Sequence, residues 1–170
     1  VAFFDNEPDQ YNGFTPLNFE KLADVIRHFC FNREVYKTKL MKLLFYSDFL
    51  YFKLYNKSIT GLRYEHLHYG PVPDNYELVI GTLMNIYPTI SLEPRDFGQY
   101  AGEVIRVSDL NSSTSLDKSE LEVIKKINDA FDFFSSKALS ELSHKEIAYS
   151  KTNSRDLISY DYASKLNLDV

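Results

Sequence analysis

The sequence predicts an α+β domain that is predominantly α-helical, with about five or six helices and a small antiparallel sheet. Apolar residues recur at helical spacing over most of the chain, whereas a few short segments alternate as strands do. One segment, residues 38–56, is apolar around most of its circumference, which is typical of a central helix packed on several sides. A chain of 170 residues is long enough to bury one sizeable core around that helix.

Residues 1–16 are predicted to form an extended arm or the remnant of a linker, because two prolines and a glycine interrupt them. A single domain is predicted over residues 17–170. Its first helix begins after Asn18, a favourable N-cap residue, and runs to about Phe31.

The central helix is predicted from Thr38 to about Asn56. At about 100° per residue, four lysines fall within one narrow stripe, opposite a strongly apolar face. This stripe is predicted to be the exposed basic edge of the helix. Its members are Lys39, Lys42, Lys53 and Lys57.

The rest of the chain alternates between short strands and amphipathic helices. Two prolines in the segment Gly70–Pro73 are expected to stop a strand, because proline lacks a backbone donor. Asp117 and Glu120 have the spacing of a capping box. The predicted elements are a strand at 62–69, a helix at 75–87, two strands at 89–94 and 100–107 that a turn joins as a hairpin, a helix from Asp117, a helix that Ser136 caps and that runs to about Tyr149, and a final helical turn or two at 158–166.

Composition restricts the classes of function. A formal net charge of −5 argues against a nucleic-acid-binding surface over the whole domain, because phosphate contacts need clustered cations. No apolar run reaches the length of a membrane span, and the single cysteine, Cys30, excludes an internal disulfide. With 13 Tyr and 13 Phe, the core is expected to be rich in aromatic rings. These features predict a cytoplasmic protein without membrane contact.

No catalytic or phosphate-binding motif is present in the sequence. His66 and His68 would point to the same side of a strand and could bind one metal ion, although no third ligand is evident from the spacing. The alternative is a pair of ordinary histidines on a half-buried strand, and we favour it. We therefore predict no enzymatic activity, no cofactor and no metal.

Asp48 lies in the middle of the apolar face of the central helix. A buried carboxylate costs several kcal/mol unless it is paired or multiply hydrogen-bonded, and no neighbour one turn away can neutralise it. One interpretation is a perturbed acid in a reactive site. We favour a structural anchor that receives donors from the segment between Arg63 and Val72.

The segment Tyr69, Gly70, Pro71, Val72 and Pro73 is a candidate partner-binding loop. Its two prolines would make it stiff, so that it could offer exposed carbonyls and rings to a partner at low entropic cost. The alternative interpretation is a rigid connector between a strand and a helix.

Three segments together resemble the Panacea domain, also called the SocA-like antitoxin domain. They are Tyr36–Leu50, with the pattern K-L-x-K-L-L-x-x-x-D-x-L, then Ser58–Gly61, with I-T-G, and Tyr69–Pro73, with Y-G-P-V-P. The resemblance covers roughly residues 20–90 well. It implies a mostly helical domain that neutralises a protein toxin by binding it directly, and in some members an adaptor that delivers the toxin to a protease.

The leading hypothesis is therefore a toxin-neutralising interaction domain whose partner is encoded by a neighbouring gene. The alternative is the sensing domain of a prophage-associated transcriptional regulator whose DNA-binding segment is missing from this chain. A third hypothesis is a hydrolase that uses Asp48 with His66 or His68. Direct nucleic-acid binding by this chain is not expected, and homodimerisation is left open.

Overall fold

The computed structural model describes residue 4 and residues 6–98, 100–110 and 113–168, with backbone only at Phe97, Tyr100 and Ala101. It confirms a helix-dominated α+β fold with a small antiparallel sheet. The helices are α1 (Phe19–Cys30), α2 (Lys37–Tyr55), α3 (Tyr76–Ile86), α4 (Lys118–Phe131), α5 (Ser136–His144), α6 (Ile147–Ser150) and a 3-10 helix (Tyr160–Lys165). The strands are β1 (Val35–Tyr36), β2 (Tyr64–Leu67), β3 (Gly70–Pro73), β4 (Ile90–Phe97) and β5 (Tyr100–Val107).

Helix α2 lies at the centre, and every residue from Leu40 to Tyr51 is buried. It contacts α1, α4, α5, β3 and the 3-10 helix. Aromatic rings fill much of the space around it: the Phe49 ring lies 4.4 Å from that of Phe45 and 4.3 Å from that of Tyr160, measured between centroids. The predicted aromatic core is thus confirmed. No helix in the described part of the chain is both long and apolar enough to cross a membrane.

Several helix ends follow from local sequence. The Asn18 side chain accepts from the backbone of Lys21, and Asp117 and Glu120 form the predicted capping box. At α5 the prediction was wrong by one residue at the start, because Ser135 rather than Ser136 is the N-cap. The predicted helix 136–149 is also divided into α5 and α6.

Strands β1, β5 and β4 form one antiparallel sheet, with β5 in the middle. Strands β4 and β5 form the predicted hairpin, in which Ile90 pairs with Val107. The two-residue strand β1 was not predicted, and it pairs with Ile105 and Val104 of β5 just before α2 begins.

The segment Gly70–Pro73 does not stop a strand as predicted. It forms β3, which pairs antiparallel with β2 so that Leu67 lies opposite Gly70 and Tyr64 opposite Pro73. Prolines are tolerated because β3 is an edge strand, whose outward-facing positions need no backbone donor. The other edge of β2 is covered by the C-terminal segment, where the Ile158 amide donates to the Tyr64 carbonyl at 2.8 Å.

The described part of the predicted arm, residue 4 and residues 6–16, contacts the rest of the domain; residues 1–3 and 5 lie outside the described residues. Asn12 is buried, and the Ser58 amide donates to the Gly13 carbonyl at 3.0 Å. Arg63 forms an ion pair with Asp9 at 3.0 Å. The domain boundary at residue 17 stays a prediction.

Candidate functional site

Asp48 is fully buried in the middle of α2 and accepts four hydrogen bonds. Its Oδ1 accepts the backbone N–H groups of Ile59 and Thr60, both at 2.9 Å. Its Oδ2 accepts the hydroxyls of Thr60 and Tyr64, both at 2.6 Å. Burial raises the pKa of Asp48 to about 6, while the four hydrogen bonds act in the opposite direction. The carboxylate therefore connects α2 by hydrogen bonds to the segment 59–64, which follows the helix in the chain.

The predicted source of these donors was only partly right. Tyr64 lies within the expected range, Arg63 to Val72, but Ile59 and Thr60 precede it. The correction has a geometric reason: the chain turns back over α2 immediately after the helix ends. The carboxylate therefore binds this turn and the start of β2, not the proline-containing strand. That Asp48 acts as a structural anchor stays a prediction, tested in the Discussion.

His66 lies in β2 and His68 in the turn that follows, and neither is among the hydrogen-bond partners of Asp48 that the described residues show. The His66 ring stacks on that of Tyr149 at 3.6 Å between centroids, and its Nδ1 lies 2.9 Å from the Tyr149 carbonyl. The backbone carbonyl of His68 accepts a hydrogen bond from Nε2 of His144 at 2.9 Å. Within the described residues, no three His, Cys, Asp or Glu side chains are grouped so as to bind a metal ion.

The predicted basic stripe on α2 is not uniformly exposed. Lys53 and Lys57 are exposed and Lys39 is half-buried, but Lys42 has 0% of its surface accessible. The prediction was wrong for Lys42 because β3 and α5 cover that side of the helix. Whether the other three lysines bind a partner stays a prediction.

The Lys42 ammonium is buried without a partner. Its Nζ has no hydrogen-bond acceptor among the described residues. The side chain passes close to Gly70, where a Cβ would lie 2.8 Å from Lys42 Cε and 2.7 Å from Ser143 Oγ. Ser143 does not serve as its acceptor, because that hydroxyl donates to the Ser140 carbonyl at 2.6 Å. Burial lowers the pKa of Lys42 to about 8, so the amine is still mostly protonated at neutral pH.

Lys42 borders a cavity of about 540 Å³, which we call the Lys42 cleft. The cleft lies between the first turns of α2, the β2–β3 hairpin and the start of α3. Its walls are largely apolar and aromatic. The residues that line it are Lys37, Thr38, Met41, Lys42, Leu67, Tyr69, Val72 and Tyr76.

The candidate partner-binding loop contributes to this cleft but is not the exposed loop that was predicted. Tyr69 is 71% exposed, whereas Gly70, Pro71, Val72 and Pro73 are all buried in strand β3. Contacts with α5 hold the tip of the hairpin, where the Ser140 hydroxyl donates to the Tyr69 carbonyl. Only Tyr69 therefore presents a ring to solvent, and the partner-binding role of the segment stays a prediction.

Replacing Lys42 with Met should stabilise the protein by about 1–3 kcal/mol at pH 7, because a flexible apolar side chain removes a buried, unpaired ammonium. The stability of the wild type should rise relative to that of Lys42→Met as the pH increases from about 8 to about 10.5. In that window the unfolded chain binds the proton more tightly than the folded chain. Urea unfolding at several pH values measures both effects.

The matched control is Lys57→Met, which removes an exposed lysine from the end of the same stripe. Its effect should stay within about 0.5 kcal/mol at every pH. A wild type as stable as, or more stable than, Lys42→Met at pH 7 would show that the ammonium has a partner in solution.

These features define a class of protein: a helix-dominated α+β domain with a buried carboxylate on its central helix, which is hydrogen-bonded to the following turn, and with a separate, largely apolar cleft. The chain belongs to the SocA-like antitoxin family with a Panacea domain, whose model matches residues 40–148. The matched region covers more than half of the chain and extends from α2 into α6, so it includes Asp48 and most of the Lys42 cleft. No curated protein and no solved structure matches the chain.

Proposed function

We propose that this chain is the antitoxin of a toxin–antitoxin pair and neutralises its toxin by binding it directly. The observation that carries the proposal is the family match over residues 40–148. The site chemistry agrees with a binding role, because the buried carboxylate accepts four hydrogen bonds and the His66 ring contacts Tyr149 instead. The proposal places the chain in the bacterial cytoplasm, where its toxin would act.

The surface beside the Lys42 cleft supports a protein partner. Tyr69 lines the cleft and is largely exposed to solvent, and Tyr76 also lines it. Tyrosine is enriched at protein–protein contacts, because it combines a large rigid ring with a hydroxyl that can bond to a partner. An apolar cleft edged by such rings has the composition of an interface centre.

Co-expression with the products of adjacent genes tests this proposal. A toxic neighbour product should stop growth when expressed alone, and this chain should restore growth when both are present. The two purified proteins should elute together on size-exclusion chromatography. The proposal fails if no neighbour product is both toxic and rescued, or if rescue occurs without a complex.

The toxin concentration in the rescued cells separates two routes. Neutralisation by occlusion leaves the toxin level unchanged, because the toxin persists in the complex. Delivery to a protease lowers the toxin level in proportion to the amount of this protein that the cells express. Deletion of the protease then abolishes rescue. A western blot for the tagged toxin distinguishes these outcomes.

A further inference from the structure

We propose that the Lys42 cleft binds an acidic side chain, Asp or Glu, carried on an apolar segment of the toxin, with the Lys42 ammonium as its counter-ion. This inference rests on the proposed function and adds to it the binding surface and the chemistry of recognition. It follows from three properties of the cleft: an unpaired cation, a favourable electrostatic environment and an apolar lining.

The unpaired cation is the strongest of the three. A buried ammonium normally has a carboxylate or several carbonyl oxygens around it, because desolvating a charge is costly. Lys42 has no acceptor among the described residues, and its side chain lines a cavity large enough for a side chain. Because its Nζ is closed off from solvent in the free chain, the lysine side chain must rotate toward the cavity to meet a partner's carboxylate. A carboxylate brought by a partner would supply the missing acceptor and recover the cost of burial.

The other charged residue that lines the cleft, Lys37, leaves Lys42 available. Lys37, at the rim of the cleft, is paired with Glu103 at 2.6 Å, and its ammonium lies 5.6 Å from the centre of the Tyr76 ring. Glu103 is therefore occupied by Lys37. The Lys42 pKa is lowered by burial alone, which indicates that no nearby carboxylate compensates within the chain.

The first turn of α2 adds to the positive potential. Lys37 and Thr38 of this turn line the cleft, and the turn contains no acidic residue. The positive end of a 19-residue helix therefore lies against the cavity. A helix N-terminus alone does not define a site, but here it acts on the same space as the buried ammonium.

The lining favours a protein carboxylate over a phosphate. Met41, Leu67 and Val72 supply apolar walls, and no arginine is among the lining residues. A phosphate would need several charge-assisted donors around its oxygens, which this lining lacks. An acidic side chain flanked by apolar neighbours matches both the single cation and the walls.

The first test uses the complex with the toxin found by the co-expression experiment. Lys42→Met should raise the dissociation constant on the order of 100-fold, because the partner's carboxylate is then left buried without a counter-ion. Lys126→Met, at an exposed lysine of α4 that does not line the cleft, should change it less than about twofold. Lys42→Met is expected to be at least as stable as the wild type, so unfolding cannot explain the loss of affinity. Equal affinities for wild type and Lys42→Met would overturn the inference while leaving the antitoxin function intact.

A scan of the toxin identifies the bound carboxylate. One Asp or Glu of the toxin, changed to its amide, should reproduce the loss seen with Lys42→Met, and the two changes together should cost little more than either alone. Additive losses for every acidic residue of the toxin would contradict direct pairing with Lys42.

A second test needs no toxin, so it remains decisive if the proposed function fails. Chains labelled with 13C at lysine Cε are titrated with 3-phenylpropionate and, as the matched neutral probe, 3-phenylpropionamide. The Lys42 resonance should shift saturably with the carboxylate only, and the pKa of its amine should rise by about 1 unit or more. No saturable shift, or equal shifts with the amide, would overturn the inference.

Discussion

Replacing Asp48 with Leu should lower the free energy of unfolding by about 3–5 kcal/mol, the largest single-residue effect that we expect in this domain. The carboxylate is fully buried and accepts from two backbone N–H groups and two hydroxyls. Leucine removes all four acceptor interactions at once and leaves the Ile59 and Thr60 amides buried without partners. Each such loss costs about 1–3 kcal/mol.

Asp48→Asn is the matched control, and it should cost only about 1–2 kcal/mol. The amide oxygen can still accept from the two backbone N–H groups, whose positions are fixed. The amide nitrogen would then face the hydroxyls of Thr60 and Tyr64, which can rotate and accept instead of donating. Urea unfolding of both variants measures the difference. Equal free energies of unfolding for Asp48→Leu and the wild type would refute the anchor.

Replacing Gly61 with Ala should lower the free energy of unfolding by about 2–5 kcal/mol. Gly61 has φ of +78°, and a Cβ there would lie 2.3 Å from the carbonyl oxygen of Pro16 and 2.5 Å from its carbonyl carbon. Those atoms belong to backbone, so they cannot move aside as the end of a side chain could. The substitution therefore forces apart the turn held by Asp48 and the N-terminal segment.

Gly98→Ala separates the cost of backbone strain at a positive φ from the cost of the close contact with Pro16. Gly98 has a similar φ of +72°, but no heavy atom of the described residues beyond its chain neighbours lies within 4 Å of the position of its Cβ. This control should cost only the backbone strain, about 1 kcal/mol. Thermal unfolding of both variants compares them directly. If Gly61→Ala is no more destabilising than Gly98→Ala, the close approach of Pro16 does not exist in solution.

The elements defined by short-range patterns were predicted well. Helix α1 begins at its predicted cap, Asn18, and α4 begins at its predicted capping box. Helix α2 ends at Tyr55, close to the predicted end at about Asn56, and Asn56 is its C-cap with a left-handed conformation, φ of 60°. These features depend on residues within one or two turns of each other, so a single segment contains the necessary information.

The prediction of strand β3 failed for a different reason. Two prolines normally exclude a central strand, and sequence alone did not indicate that this segment would lie at an edge. The pairing of β2 with the C-terminal segment, 155–158, leaves β3 on the outside of that small sheet. A contact between residues about 90 positions apart therefore accompanies the tolerance of prolines in β3.

At the candidate site, too, the features that depend on short-range patterns were predicted and those that depend on distant contacts were not. That Asp48 needed donors followed from one carboxylate on an apolar helix face, and its position in α2 was predicted correctly. That Lys42 is buried did not follow, because helical periodicity placed it in the same stripe as Lys53 and Lys57. The glycine at position 70 was the relevant signal in the sequence. It lies beside Lys42 in the fold, and its lack of a Cβ makes room for the lysine side chain.

By itself, the sequence determined the fold class, the central helix, the helix caps, the need for donors around Asp48 and the resemblance to the antitoxin family. The tertiary structure alone decided which donors Asp48 receives, that Gly70–Pro73 forms a strand, and that α5 and β3 cover Lys42. Periodicity and capping act between residues close in sequence, whereas burial depends on which distant segment covers a given face. One lysine of the stripe was thereby separated from the others and enclosed beside the cleft.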